Sequence, residues 1–220
     1  MKITALSDMH GHLPEIGDAD LVLIAGDICC HGNALQQMRW LDTELRRWLD
    51  SIEAPVIGVA GNHDWPFFGA MYPPVRKQVD EMKLPWTYLE DSGVEHEGFK
   101  TWGTQWQPEF YNWAFNLTEQ ELSEKWKLIP EDTDILICHG PPNGFGDFVD
   151  RPGGGHVGSP SLTERIAMIQ PQLVVFGHIH CGRGNWTLGG SQLANVTVVN
   201  EGYEMVHDPY EITLSENGRG

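Results

Sequence analysis

The stretch ADLVLIAG (residues 19–26) is a nearly continuous apolar run that ends at a glycine. Runs of this kind are typical of parallel strands that are buried on both faces. A strand pattern, KITALS (2–7), precedes it, and a second buried run, PVIGVAG (55–61), follows it. Between these runs, residues 34–52 place apolar side chains three and four positions apart, beginning at Leu35, which predicts an amphipathic helix. The first sixty residues therefore predict an α/β domain.

The rest of the chain continues this pattern less regularly. Further strands are predicted at WTYLE (86–90), VEHEGFKTWGTQW (94–106), DILICHG (134–140), LVVFG (173–177), NVTVVN (195–200) and YEITL (210–214). Two capping boxes predict helix starts, one formed by Thr118 with Glu121 and one by Ser161 with Glu164. Because neither a repeat nor a linker interrupts the pattern, we predict that residues 1–220 form a single domain.

The composition limits the kinds of function that the protein can have. The net charge is −17, with 14 basic against 31 acidic residues. Such a surface repels a polyanion, so we expect no long nucleic acid as a partner. We expect no membrane association, because no apolar stretch approaches a membrane span and the amino terminus lacks a signal-peptide pattern. The four cysteines have no zinc-binding spacing and are typical of reduced thiols, which favours a cytoplasmic location.

Polar residues follow the predicted strands at the points where the strands end. They are Asp8 and His10 after the first strand, Asp27 after the second, Asn62, His63 and Asp64 after the third, His139 after DILIC, and His178 and His180 after LVVFG. The carboxyl ends of parallel strands form the ligand crevice of an open α/β sheet. Each residue alone is ordinary for a turn or a cap, but five strands with the same kind of ending indicate a metal site.

The candidate ligands indicate which metal ions would bind. Carboxylate, amide and imidazole donors suit Mn, Fe, Zn or Co, and we expect Mn²⁺ to support activity in vitro. Two carboxylates, one amide and four imidazoles exceed what one ion needs, and they match two divalent or trivalent ions that share a carboxylate. Paired ions about 3.5–4 Å apart support in-line phosphoryl displacement by a bound hydroxide. We expect Gly26, Gly61 and Gly177 to allow sharp turns that orient the ligands after them.

The ordered motifs resemble those of a known enzyme family. They are DMH (8–10), GD (26–27), GNHD (61–64), HGPP (139–142) and GHIH (177–180), and the family is the calcineurin-like metallophosphoesterases. The segments WGTQWQPEFYNWAFNL (102–117) and FGHIHCGRG (176–184) narrow the resemblance to the small metallophosphoesterase-domain-containing proteins, close to the class III cyclic-nucleotide phosphodiesterases. The resemblance implies a four-layer α/β/β/α sandwich of two mixed β-sheets flanked by helices.

The resemblance also implies a role for each residue at the strand ends. It assigns one ion to Asp8, His10 and His180, a second ion to Asn62, His139 and His178, and the bridging position to Asp27. It implies that His63 lies beside the leaving-group oxygen as general acid. For Asp64 two interpretations stay open, a carboxylate that orients the His63 imidazole or a simple turn residue.

Several other residues are candidates for substrate binding, together with Asn62. His12 and His31 lie close in sequence to predicted ligands, and His156 lies in the long Gly- and Pro-rich loop of residues 140–159. For each of these histidines a plain surface position is an equal alternative. Arg151 in the same loop either binds phosphate or is solvated. The aromatic-rich segment 102–117 favours a secondary hydrophobic cluster over a ligand site.

The function predicted from these residues is hydrolysis of a small phosphoester, with a phosphodiester such as a cyclic nucleotide favoured. In this hypothesis a metal-bound hydroxide attacks phosphorus while His63 assists the leaving group. Two alternatives stay open. A phosphomonoesterase, such as a phosphoprotein phosphatase, would use the same ligands. A non-catalytic metal-binding scaffold would keep the fold, although the presence of His63 and of both histidines of GHIH argues against it.

Overall fold

A computed structural model of the chain describes residues 1–215. Five strands form the first of two large sheets: β1 (Lys2–Leu6), β2 (Leu21–Ala25), β3 (Val56–Val59), β4 (Thr87–Tyr88) and β15 (Tyr210–Thr213). Their order across the sheet is β15-β1-β2-β3-β4. The strands β1 to β4 are parallel, whereas β15 pairs with β1 in the antiparallel direction. The mixed sheet therefore gathers the carboxyl ends of β1, β2 and β3 at one edge.

Six strands form the second large sheet: β5 (Ser92–His96), β6 (Phe99–Thr104), β9 (Ile135–Cys138), β12 (Leu173–Phe176), β13 (Gly184–Leu188) and β14 (Ser191–Asn195). Their order is β13-β14-β12-β9-β6-β5, with parallel central strands and an antiparallel strand at each edge. Two short pairs lie outside these sheets: β7 (Gln107–Pro108) with β8 (Asn116–Leu117), and β10 (Phe148–Val149) with β11 (Gly155–His156).

The helices cover the outer faces of the two sheets. They are α1 (Ala34–Trp40), a π-helical turn (Leu41–Leu45), α2 (Arg46–Asp50), α3 (Pro73–Met82), α4 (Glu119–Trp126) and α5 (Pro160–Ile169). The segment from α1 to α2 packs on the first sheet together with α3, and α4 and α5 pack on the second sheet. Within residues 1–215, none of the helices has the length and apolar character that a membrane span requires.

Alternation along the strands explains the layers. Leu23 and Ile137 point between the two sheets into one shared core. Their neighbours point outward, Ile24 toward the π-helical turn and Leu136 toward α4 and α5. Strands that are apolar on both faces must be covered on both faces, which two sheets and two helical layers achieve. The fold is the four-layer α/β/β/α sandwich that the motifs implied.

Two helical predictions need correction. The predicted helix over residues 34–52 contains a π-helical turn, and Leu35, expected on its apolar face, is 54% exposed. The predicted capping box of Ser161 with Glu164 is wrong, because α5 begins two residues earlier. There the Ser159 side chain accepts the Leu162 N–H, and Pro160 occupies the first helical turn. The box of Thr118 with Glu121 is confirmed.

The structure differs from the sequence prediction at three further elements. Residues 196–200 were predicted as a strand, but they lie beyond β14 and connect the sheets, with an isolated bridge between Thr197 and Ser7. Helix α3 was not predicted, although two prolines mark its start and Val75 and Val79 are spaced as a buried helical pair. The β13–β14 hairpin was also missed, and the Gly189–Gly190 turn was its available signal.

Candidate metal centre

The predicted ligands meet at the carboxyl edges of both sheets. Each follows a strand directly or within four residues: Asp8 and His10 follow β1, Asp27 follows β2, Asn62 follows β3, His139 follows β9, and His178 and His180 follow β12. Five of the seven are buried, and His178 and His180 are partly exposed. Buried polar groups need hydrogen-bond partners or a bound metal ion. The distances between their nitrogen and oxygen atoms show whether a metal ion fits.

The first cluster contains Asp8, His10 and His180. The Nε2 atoms of His10 and His180 lie 3.3 Å apart, and His180 Nε2 is 3.5 Å from Asp8 Oδ1. Imidazole nitrogens bind transition metals at about 2.0–2.1 Å, so two ligands of one ion lie roughly 3 Å apart. The spacing of these atoms fits a shared ion.

The second cluster contains Asn62, His139 and His178. Asn62 Oδ1 lies 2.9 Å from His139 Nε2 and 2.8 Å from His178 Nδ1. Asp27 contacts both clusters through different oxygens, since Oδ2 is 3.7 Å from His10 Nε2 and Oδ1 is 3.5 Å from His139 Nε2. A carboxylate placed in this way fits the bridging ligand of two ions.

The outer nitrogens of two imidazoles fix their tautomers. His139 Nδ1 lies 2.8 Å from the Ala25 carbonyl, and His180 Nδ1 lies 3.1 Å from the Asn200 carbonyl. A carbonyl oxygen only accepts, so Nδ1 of each ring carries a proton, and Nε2 is the nitrogen that would bind a metal ion. This arrangement is the usual support for a histidine that ligates a metal.

The ionisation of the site also favours cations. Burial lowers the pKa of His10 to about 4 and that of His178 to about 3, so both rings are neutral near pH 7. Burial lowers the pKa of His139 as well, but Asp27 and Asp8 raise it, to a net value of about 9. Burial raises the pKa of Asp8, yet His180 holds it near 2. The carboxylates thus attract positive charge, and metal binding at His139 would displace a proton.

The backbone at the site is strained. The φ values are 55° at Asp8, 44° at His10, 52° at Asp27 and 68° at His178. They lie in the left-handed region, which residues other than glycine rarely adopt. Strain of this kind persists where the surrounding structure holds it, and it concentrates at functional sites. The sharp turns that we expected at the glycines are therefore made largely by the candidate ligands themselves.

Gly26 matches the expected turn, with φ of 90°, whereas Gly61 and Gly177 do not have positive φ. These two glycines are needed for space. A Cβ on Gly61 would overlap Asp27 Oδ1, and one on Gly177 would overlap Ser7 Oγ and Asp8 Oδ2. Close approach of the backbone to the ligands, rather than turn conformation, explains them.

His63 and Asp64 lie beside the clusters in different environments. His63 faces the cavity, its backbone N–H donates to Asp27 Oδ1 at 2.7 Å, and its ring lies within reach of His10 and Asp27. Asp64 is fully buried, and its carboxylate accepts backbone N–H groups of Ile28, Cys29 and Gly61 at 2.7–3.2 Å. Among the residues that the structure describes, none of its hydrogen bonds goes to the His63 imidazole.

A cavity of about 290 Å³ opens next to the clusters. Its metal-side wall consists of Asp27, Asn62, His63, His178 and His180, and its outer wall includes Phe110, Trp113, Val149, Arg151, Val157 and Tyr203. Sequence reasoning missed Phe110, Trp113 and Tyr203 as candidates. The signal for Phe110 and Trp113 was the aromatic-rich segment 102–117, which the structure brings to the cavity as well as to the hydrophobic core. Tyr203 lies outside that segment.

Three predicted substrate contacts lie outside the residues that line this cavity. His12 Nε2 bonds to the Tyr203 carbonyl at 2.9 Å, and the His31 ring stacks 5.9 Å from the His10 ring. His156 pairs with Asp147 at 2.7 Å and packs on Phe148 in the β10–β11 hairpin. The structure therefore gives all three histidines partners within the protein, and the partner of His12 is the carbonyl of the cavity residue Tyr203.

Comparisons with known proteins agree with this geometry. Residues 1–182 match the family model for calcineurin-like phosphoesterases. The human and mouse proteins called metallophosphoesterase domain-containing protein 1 are each 36% identical to the chain, covering 97% of it and 71% of the relative. The crystal structure of TT1561 from Thermus thermophilus has a TM-score of 0.60 at 18% identity and covers 88% of both chains, which supports the fold. The chain belongs to the calcineurin-like phosphoesterase family, whose members are metal-dependent hydrolases.

Proposed function

We propose that the protein is a two-metal phosphodiesterase for a small phosphoester such as a cyclic nucleotide. The observation that carries this proposal is the position of Asp27, whose two oxygens face two separate groups of ligand atoms.

We also propose that residues 1–220 form one domain. The four cysteines are free, as is common in a reducing compartment, and on that ground we propose a cytoplasmic location.

Each residue of the site has a proposed role. Asp8, His10 and His180 would hold one ion, Asn62, His139 and His178 would hold the other, and Asp27 would bridge them. When bound, the ions supply Lewis acidity toward phosphoryl oxygens and an activated water near neutral pH. His63 would donate a proton to the departing ester oxygen, and Asn62 would also face the substrate. Asp64 would act through the backbone, by holding the loops that carry Asp27 and Asn62.

The outer wall of the cavity favours a diester over a monoester. Glu109 and Glu201 line the cavity, and among the described lining residues Arg151 is the one arginine or lysine. A phosphomonoester carries up to two negative charges near pH 7, whereas a diester carries one. The additional charge would be repelled by the two carboxylates. The aromatic and aliphatic side chains of the wall suit the second ester group, which a monoester lacks.

The first experiment compares the hydrolysis of bis-p-nitrophenyl phosphate and p-nitrophenyl phosphate, with added Mn²⁺ or with chelator. We expect metal-dependent cleavage that favours the diester, and a screen of cyclic nucleotides would follow. Preference for the monoester would assign the protein to the phosphatases instead. Absence of cleavage, with two metal ions bound per chain, would favour the scaffold.

Matched variants connect this activity to the proposed ligands. Asp27→Ala and Asn62→Ala should each lower kcat by at least about 10²-fold, because metal chemistry supplies much of the rate. The control is Asp50→Ala, which removes an exposed carboxylate at the end of α2. Turnover near that of the unmodified protein in both ligand variants would refute the assigned site.

A further inference from the structure

The His63 imidazole is held differently from the imidazoles of His139 and His180. The rings of His139 and His180 are each anchored through Nδ1 to a backbone carbonyl. Among residues 1–215, by contrast, the His63 ring nitrogens have no hydrogen-bond partner, although its backbone N–H and carbonyl are both bonded. The backbone at His63 is therefore fixed, while rotation of the ring is limited only by packing.

A carboxylate usually orients a catalytic imidazole, but none of the described carboxylates is hydrogen-bonded to the His63 ring. Asp27, with an oxygen within 4.8 Å of a His63 ring nitrogen, is itself a proposed metal ligand. The neighbouring Asp64 directs both oxygens to backbone N–H groups. Another group must therefore fix the ring if His63 is to present one nitrogen to a departing oxygen, since proton transfer requires a heavy-atom distance of about 2.6–3.2 Å.

Trp113 lies where its side chain can fix the orientation of the His63 ring. Its ring lies 4.2 Å from the His63 ring, centroid to centroid, at an interplanar angle of 29°. The rings of His10 and Tyr203 approach His63 edge-on, at 4.7 and 6.0 Å. The indole therefore covers one face of the imidazole, and the edge-on rings limit its rotation from other directions.

The loop that carries Trp113 is itself held firmly. The neighbouring residues Ala114 and Phe115 are buried, and Gln107 Nε2 donates to the Ala114 carbonyl at 2.7 Å. Asn116 Nδ2 donates to the carbonyls of Phe110 and Tyr111, which closes the loop. An anchored loop gives the indole a defined position, as a positioning side chain requires.

We propose that Trp113 is a positioning residue for the reaction: its indole holds the His63 imidazole in the orientation that donates a proton to the departing ester oxygen. This inference rests on the proposed function, because it requires His63 to act on the leaving group. It assigns to a stacked aromatic ring the work that a carboxylate performs for other catalytic histidines.

The test uses two diesters of similar shape, bis-p-nitrophenyl phosphate and diphenyl phosphate. Phenolate is the more basic leaving group, with a conjugate-acid pKa of about 10, so its departure depends more on proton donation. We expect Trp113→Leu to lower kcat/KM for diphenyl phosphate by at least about tenfold and to change that for the nitrophenyl diester by less than about threefold. Trp113→Phe, which keeps a stacking ring, should restore most of the loss.

The control comes from the same loop. Tyr111 is 81% exposed and is not part of the cavity wall, so Tyr111→Leu should leave both rates unchanged. Metal content per chain, measured by elemental analysis, should be the same in all variants. Equal losses on both diesters, or loss of metal in Trp113→Leu, would overturn the inference in favour of a structural role.

A double-mutant cycle separates this inference from the proposed function. In a His63→Ala background, Trp113→Leu should cause no further loss on diphenyl phosphate, because its effect acts through the imidazole. A full additional loss would overturn the inference while leaving the role of His63 intact. If His63→Ala alone had no effect on diphenyl phosphate, the proposed proton donor would be wrong, and the inference would fail with it.

Discussion

At the scale of single residues, the side chains and backbone of the site are packed so closely that an added methyl group would overlap them. Four of the proposed ligands adopt left-handed backbone conformations, and Gly61 and Gly177 lie against side-chain oxygens of Asp27 and Asp8. Asp8 accepts hydrogen bonds from Ser7 Oγ at 2.5 Å and from the His178 N–H at 3.0 Å, which ties the end of β1 to the end of β12. Small changes at these positions should therefore alter metal binding more than their size suggests.

Gly177→Ala tests this crowding. The new methyl group would overlap Ser7 Oγ and Asp8 Oδ2, so Asp8 must shift. Overpacking of this kind costs about 1–3 kcal/mol, and we expect weaker Mn²⁺ binding, measured by calorimetry, together with lower stability in urea. The control is Gly17→Ala, which has open space around its Cβ and should change the unfolding free energy by less than about 0.5 kcal/mol. Unchanged Mn²⁺ affinity in Gly177→Ala would contradict this account of the glycine.

Asp64→Asn tests whether Asp64 supports the loops or the imidazole. Burial and Asp27 raise the pKa of this carboxyl, and its three backbone hydrogen bonds oppose them. Replacing one acceptor oxygen by an NH₂ group disrupts these bonds, so we expect a loss of about 2–3 kcal/mol in unfolding free energy. Asp50→Asn, at an exposed position, is the matched control. Full stability combined with lost activity would instead favour a direct effect on His63.

At the scale of elements, capping residues show where a helix begins, and the spacing of its apolar residues does not. Ser159 at the start of α5 accepts the Leu162 N–H, receives the Trp126 indole N–H at 3.0 Å and bonds to Glu119. One side chain thus caps α5 and connects it to α4. The predicted capping residue, Ser161, lies two positions after this cap, because α5 begins at Pro160, whose fixed φ and missing N–H suit the first helical position.

The two possible helix starts make opposite predictions for substitution. Ser159→Ala should lower the unfolding free energy by about 1–2 kcal/mol, since a cap and a buried indole partner are lost. Glu164→Ala, at an exposed position in α5, should change it by less than about 0.5 kcal/mol. Urea denaturation of both variants checks this. The reverse order of stabilities would favour the capping box that the sequence predicted.

At the scale of the whole molecule, the site joins the two sheets. Asp27 and Asn62 follow strands of the first sheet, while His139 and His178 follow strands of the second. Residues 196–199 add a backbone connection, with the Ser7 N–H donating to the Val196 carbonyl at 3.1 Å. Ions bound between the ligands would therefore cross-link the layers as well as serve the chemistry.

Metal removal should consequently lower the stability of the folded protein. A ligand present at about 100 times its Kd stabilises the native state by about 2.7 kcal/mol. For a chain of this size that corresponds to about 5–10 °C in Tm. We expect chelator to lower Tm by this amount, Mn²⁺ to restore it, and Asp27→Ala to respond weakly to both. A Tm that is independent of chelator and Mn²⁺ would contradict the cross-linking role.

The sequence by itself determined the strands of the parallel core and the polar residues at their ends. Both are local properties, because a buried strand requires an apolar run and the residue after it necessarily lies at the sheet edge. The runs around Leu23 and Val175 lie in the sheets as predicted. The order of the motifs was enough to indicate the family and its four layers.

Only the tertiary structure decided which loops meet at the site. Trp113 stacks on His63, fifty residues earlier in the chain, and Tyr203 packs on His10, while His156 turns away to Asp147. Likewise, only packing directs the Asp64 carboxylate to backbone amides instead of an imidazole. Contacts between distant loops depend on how two sheets pack and where each loop is anchored, and neither hydrophobic period nor motif spacing encodes that.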